Sequence, residues 1–225
     1  MTIGMRIVKF FARLIKYASL LMASIIALLP MVSAVITSFK SVDEYKNTNV
    51  MTPPKSWLYF ENFKAAWTKA DMALGFRNTI IVLIFVLGGS ILFGTMLAYI
   101  LSRFKFRGNG IIRNLFLFAA LIPGIATQVT VYQIMYSLGL VNTLYGYIIL
   151  LMGVDVISIY IFLQFFENIP VSLDESAVMD GATYFGVFFK ILLPLLKPAI
   201  ITVIILKGVG TYNEYYMSGK LLMMN

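Results

Sequence analysis

Residues 78–102, NTIIVLIFVLGGSILFGTMLAYILS, run without one charged side chain. The hydrocarbon core of a bilayer takes about 20 mostly apolar residues of helix to cross, so this stretch reads as a membrane span. The rest of the chain is written in the same alphabet. Of its 225 residues, 60% are hydrophobic and 12% charged, against about 45–50% and about 25% in soluble domains. A mean hydropathy of +0.88 cannot be buried in a core this small, so lipid must be the solvent for most of the surface. That excludes a soluble enzyme, a disordered chain and a disulfide scaffold. With 0 Cys and 0 His, thiolate or imidazole metal sites and Ser-His-Asp or Cys-His nucleophiles are also excluded. The chain is expected to be no enzyme, and no cofactor or metal is expected on it. Its net charge of +8 reads as membrane topology rather than nucleic-acid binding.

Four further spans follow outward from this one. Residues 17–39 form an uncharged run, preceded by a basic segment 1–16 with Arg6, Lys9, Arg13 and Lys16. The uncharged stretch 114–154 is too long for one crossing. Ser137-Leu138-Gly139 breaks it and Asn142-Thr143 restarts a helix, which predicts spans over about 112–136 and 142–166. A fifth span covers about 191–212, interrupted by Lys197 and Lys207. Basic residues hold loops on the cytoplasmic side. Arg103, Lys105, Arg107 and Arg113 therefore join the N-terminus inside, and residues 40–77, of mixed charge and containing Pro53-Pro54, form an extracytoplasmic loop. The Gly139 turn is then outside and residues 167–190 inside. Val32-Ser33-Ala34 resembles a signal cleavage site, but the apolar run exceeds a signal peptide's about 7–15 residues, which favours an uncleaved anchor. Residues 78–225 form the core.

The segment 167–190 breaks the charge pattern. It carries Glu167, Asp174, Glu175 and Asp180 against one basic residue, Lys190. Ser172-Leu173-Asp174-Glu175 predicts a capping box with Ser172 at the N-cap. Asp174 suits the positive end of that helix, and Gly181 tolerates the left-handed turn that ends one. Ala177 and Ala182 are small enough to let another surface approach. Taken alone, a capping box is better explained by an ordinary capped interfacial loop.

A longer string favours a functional reading. Ile169-Pro170, Asp174-Glu175-Ser176-Ala177, Asp180-Gly181-Ala182, Phe188, Ile191, Leu193-Pro194 and Pro198-Ala199 resemble the EAA loop of ABC-importer permeases, with Ser176 where the family usually has Ala. Phe60-Glu61-Asn62-Phe63, Arg77-Asn78-Thr79, Arg103, Phe106-Arg107-Gly108, Pro123, Tyr132, Gly139-Leu140, Asn142-Thr143 with Gly146, and Tyr212-Asn213-Glu214 fall in the family's order. From about Arg13 to Tyr216 the chain resembles the inner-membrane permease subunits of carbohydrate (maltose-type) importers. The resemblance implies an all-α, multi-span type I permease in a bacterial-type cytoplasmic membrane, with the N-terminus inside. It also implies a sixth span. Leu221-Leu222-Met223-Met224 is too short to be one, so about five spans and a sequence that stops short of the sixth are expected.

The chain has no phosphate-binding G-x-x-x-x-G-K-[ST]; Gly219-Lys220 leads into Leu221. ATP and Mg are therefore expected on a partner. The resemblance implies a cytoplasmic ATPase dimer, a second permease subunit and an extracytoplasmic solute-binding protein. Its coupling residues would be Glu175, Ser176, Ala177, Asp180, Gly181, Ala182 and Pro194, with Glu175 facing an Arg of the ATPase and Pro194 and Pro198 bending the helix that transmits the motion.

Two groups are candidates for a substrate pathway. A carboxylate at Asp155, ~16 Å from the inner end of its span, costs roughly 2.5–3.5 kcal/mol in the membrane and needs a reason. A structural pair with Lys207, about one turn higher, is the first expectation and a substrate contact the second. Gln128, Tyr132, Gln133 and Tyr136 share helical spacing and suit a sugar's need for aromatic faces and amides, but an interface belt is written the same way. The cargo expected from the resemblance is a sugar or oligosaccharide. A permease for a polyol, glycerol phosphate or amino acid is the alternative, with a secondary transporter behind it.

Overall fold

The computed structural model of the protein describes residues 3–214, and the expectation resting on Leu221–Met224 lies outside them. Among the described residues every regular element is helical. The chain divides into two compact units, Met1–Gly75 and Phe76–Asn225.

In the first unit, α1 (Ile3–Ser38) continues through Pro30 without a break, and its stretch Lys9–Ser38 is long and apolar enough to cross a membrane. Two short helices follow, α2 (Val42–Asn47) and α3 (Glu61–Lys69). They explain the Phe60-Glu61-Asn62-Phe63 string. The rings of Phe60 and Phe63 lie 5.8 and 5.2 Å from that of Phe39. The Asn62 amide donates to the carbonyls of Ser38 (2.9 Å) and Lys40 (2.7 Å), satisfying acceptors that a helix end leaves open. Lys40 is 2% exposed and donates to the Thr48 hydroxyl and the Asn49 carbonyl.

The second unit is organised on α4 (Met72–Arg103), which contains the 78–102 run and is also long and apolar enough to span. The three later spans are bent pairs, where the sequence predicts continuous helices. α5 (Asn109–Leu121) and α6 (Gly124–Ser137) turn by 103° at Ile122-Pro123, because proline lacks the donor and disfavours helix in the residue before it. α7 (Leu144–Leu151) and α8 (Val156–Glu167) bend by 44° around Gly153. α9 (Ser172–Met179) lies between the last two spans. α10 (Tyr184–Val187) then passes through a π-helical turn at Phe188–Leu192 into α11 (Leu193–Leu195), and α12 (Lys197–Tyr212) departs at 72°. Pro194 and Pro198 flank that corner as expected. Counting each bent pair as one span, the described residues hold up to five.

The Gly139 turn is built as the sequence suggests: Gly139 has φ +67° and Asn142 φ +60°, and the Thr143 hydroxyl accepts from the Gly146 N–H to start α7. The main core joins Ala98, Phe162, Phe166, Phe188 and Leu196, each at most 2% exposed. α4 and α8 approach closely at Gly94, where a Cβ would stand 3.1 Å from the Phe162 ring.

Candidate functional site

Two arrangements in the second unit carry polar chemistry, one at each end of α8. Over its 12 residues they stand ~18 Å apart at 1.5 Å per residue.

The first is the knob formed by α9. The helix starts differently from the expected capping box. Val171 already has helical angles (φ −63°, ψ −26°) and is the N-cap, with no side-chain cap. Its carbonyl accepts from the N–H groups of Asp174 and Glu175. Pro170 brings the chain in at a helix-compatible φ, so the first turn closes one residue early and Ser172 is inside it. The other end follows expectation. The Ala182 N–H donates to the Ala177 carbonyl (3.0 Å), the Gly181 N–H to the Val178 carbonyl (2.9 Å), and Gly181 has φ +85°. That is a Schellman cap, and it gives Asp180-Gly181-Ala182 a physical meaning: Gly takes the left-handed position and Ala182 turns back onto the core. Of the knob's side chains only Ala177 is buried, while Glu175, Ser176 and Asp180 are exposed and Met179 is 87% exposed.

Asp174 faces the other way. Its Oδ2 accepts from Arg103 Nε at 2.8 Å, with the two side chains 13% and 7% exposed. The remaining guanidinium nitrogens donate to the carbonyls of Phe166 (3.2 Å) and Ile169 (2.8 Å). From the sequence, Arg103 reads as a topology charge and Asp174 as a helix-dipole acid. Their 71-residue separation leaves no local signal of the pair.

The second arrangement is the break between α7 and α8. Asp155 is the N-cap of α8, accepting from the N–H and hydroxyl of Ser158 at 2.9 and 2.7 Å. Lys207 Nζ lies 3.1 Å from Asp155 Oδ2 and 2.7 Å from the Gly153 carbonyl. The Ser90 hydroxyl reaches the carbonyls of Met152 and Gly153. Interrupted backbone at membrane depth is tolerated only where such groups are satisfied. Asp155, Ser158, Lys207, Thr211 and Glu214 line a cavity of about 490 Å³. The expected pair therefore forms, and the same two residues face open space.

Gln128, Tyr132, Gln133 and Tyr136 lie together on α6 but do not line that cavity. The rings of Tyr132 and Tyr136 stack 6.4 Å apart. Gln133 and Tyr136 are exposed, Gln128 and Tyr132 half-buried. Pro194 is exposed beside the π-helical turn. Among the described residues no cluster of three or more His, Cys, Asp or Glu side chains could hold a metal.

Residues 90–222 match the model of the family described as binding-protein-dependent transport system inner membrane component. The diacetylchitobiose uptake system permease protein NgcG of Streptomyces coelicolor is 31% identical over 204 residues, which are 90% of this chain and 67% of that protein. The arabinooligosaccharides transport system permease protein AraQ of Halalkalibacterium halodurans is 32% identical over 192 residues, 84% and 68% of the two chains. The galactooligosaccharides transport system permease protein GanQ of Bacillus subtilis is 26% identical over 223 residues, 99% and 79%. Among solved structures, a chain of a bacterial ABC transporter involved in the import of the acidic polysaccharide alginate superposes with a TM-score of 0.83. At 24% identity it covers 99% of this chain and 76% of its own; the likeness is one of fold.

Proposed function

The chain belongs to the binding-protein-dependent transport system inner membrane component family, and from that membership we propose that it imports a sugar or oligosaccharide, powered by a separate ATPase that grips the α9 knob. The family is one of membrane permease subunits of ABC importers. The cargo reading is supported by relatives named for oligosaccharide uptake.

The observation that carries the coupling role is the division of the knob's surface. One carboxylate, Asp174, is turned inward and tied down, while Glu175, Ser176, Val178 and Met179 are left exposed on a helix of 8 residues. A helix that short is marginal alone, so it needs tethers on one side and has a surface to offer on the other. In this reading the knob lies on the cytoplasmic side, as does the basic N-terminus. The ATPase dimer binds ATP and Mg, Glu175 pairs with a cation on it, and closure of the dimer swings the attached bent spans between inward- and outward-open states. A second permease subunit completes the path, and an extracytoplasmic binding protein delivers the solute. Asp155 and Lys207 line the path on this subunit; the α6 residues Gln128, Tyr132, Gln133 and Tyr136 are a second candidate lining.

Glu175→Lys and Gly181→Asp test the coupling reading in the assembled transporter. Both variants should insert into the membrane and lose ATP-driven uptake. Normal uptake and normal ATPase stimulation in both would overturn it. Labelled oligosaccharide binding to the co-purified binding protein tests the cargo.

A further inference from the structure

The knob is joined to the spans on either side of it by chain: Ile169-Pro170-Val171 leads in from α8 and Ala182-Thr183 leads out to α10. Neither link reaches α4. Arg103 does. It is the last residue of α4, and its one guanidinium makes four contacts beyond that helix. It pairs with Asp174 in the first turn of α9 and donates to the carbonyls of Phe166 and Ile169 at the end of α8. It also sits 6.0 Å above the Phe166 ring. The Phe166 carbonyl already accepts from the Ile169 N–H, so Arg103 adds a second donor to it and reaches the Ile169 carbonyl just beyond α8; a cation there complements the helix dipole. The fork shape of the guanidinium is what lets one side chain serve three oxygens; an ammonium is a single point charge.

We propose that Arg103 is a positioning residue for coupling: it fixes the knob to α4, so that α4 moves together with α8 and α9 when the ATPase pulls. The inference rests on the docking role given to α9 above and adds the route by which force reaches a helix with no chain connection to the knob. Three features support a mechanical link rather than a surface ion pair. Both side chains are nearly buried, each guanidinium nitrogen has an acceptor, one carboxylate and two backbone carbonyls, and α4 is packed on α8 at Gly94–Phe162. Asp174 Oδ1 has no donor partner among the described residues, so the carboxylate is held through Oδ2 alone and depends on Arg103.

The test uses the complete transporter in proteoliposomes. Arg103→Lys keeps the charge and loses the fork; Asp174→Asn keeps an acceptor and loses the charge. For both, ATP hydrolysis should still respond to the loaded binding protein, while solute moved per ATP falls roughly fivefold or more. Arg107→Lys, on an exposed side chain, should keep the wild-type ratio. A lesion that is only structural lowers uptake and hydrolysis together and leaves the ratio unchanged; that result overturns the proposal.

A second measurement needs neither variant to fold. The chain has 0 Cys, so spin labels at Lys105→Cys and Val171→Cys report one distance between the end of α4 and the start of α9. It should hold through the nucleotide cycle, and a change larger than about one helical turn, ~5.4 Å, overturns the link. If Glu175→Lys still couples, the docking reading itself fails. If Glu175→Lys uncouples while Arg103→Lys does not, only the role of Arg103 fails.

Discussion

Lys207 on α12 and Asp155 at the head of α8 meet at 3.1 Å, 52 residues apart in sequence. The pair closes a backbone break and lines a cavity at once. Asp155 serves α8 as N-cap, Lys207 as ion-pair partner, and the cavity as a polar wall. These roles separate by substitution.

Asn is as good an N-cap as Asp, so Asp155→Asn keeps the start of α8 and loses only the charge. The Asp155 side chain is 42% exposed but that of Lys207 only 13%, and Lys207 keeps the Gly153 carbonyl, so the stability cost should be about 1–3 kcal/mol. Uptake should fall roughly tenfold, the scale of a polar group left unpaired. Asp155→Leu also removes the cap and should cost about 1–2 kcal/mol more. Thermal unfolding of the purified complex, set beside uptake at equal protein, checks both. Uptake that tracks stability across the two variants would reduce the pair to a structural role.

Substitutions at Gly181 should rank by their tolerance of a φ of +85°. Asn visits the left-handed region, Ala pays about 1 kcal/mol to do so, and a β-branched residue more. Uptake should therefore fall in the order Gly, Asn, Ala, Val, with membrane content unchanged. Flat uptake across the series would mean that the shape of the knob does not matter to transport.

A methyl at Gly94 would stand 3.1 Å from the Phe162 ring, so the buried ring would have to give by a few tenths of an ångström. Gly94→Ala should destabilise the second unit by about 1–3 kcal/mol through overpacking, and Gly94→Leu should abolish insertion. Phe162→Leu, by freeing the ring's edge, should recover part of the Gly94→Ala loss. The readout is the melting temperature of the purified complex; additive losses in the double variant would contradict the close approach of α4 and α8.

Asn62→Ala leaves the carbonyls of Ser38 and Lys40 without their amide donor, at a cost of about 1 kcal/mol. Asn62→Asp sets a carboxylate against the same two oxygens and should be worse. Limited proteolysis of residues 40–60 in membrane vesicles should accelerate in that order. Equal cleavage of all three proteins would remove the cap from the account of this segment.

What the sequence settled by itself was written in short range. A chain this apolar cannot hide its surface in its own core, so the membrane class follows from composition, and the apolar runs mark the helices and bent pairs long enough to span. Gly139, Thr143, Gly181 and the pair Pro194 and Pro198 act on their own backbones within a few residues, and each turn or corner they predict is present. The departures come from interactions with no local signature. Ser172 loses the N-cap to Val171 once Pro170 delivers the chain in a helical turn. The 142–166 helix breaks at Gly153 because Ser90 and Lys207, from two other helices, satisfy the freed carbonyls. Asp174 reads as a dipole acid until Arg103, 71 residues away, is folded against it. Backbone preference acts locally, but a charge beside the membrane takes its meaning from its partner, and only the tertiary fold supplies that partner.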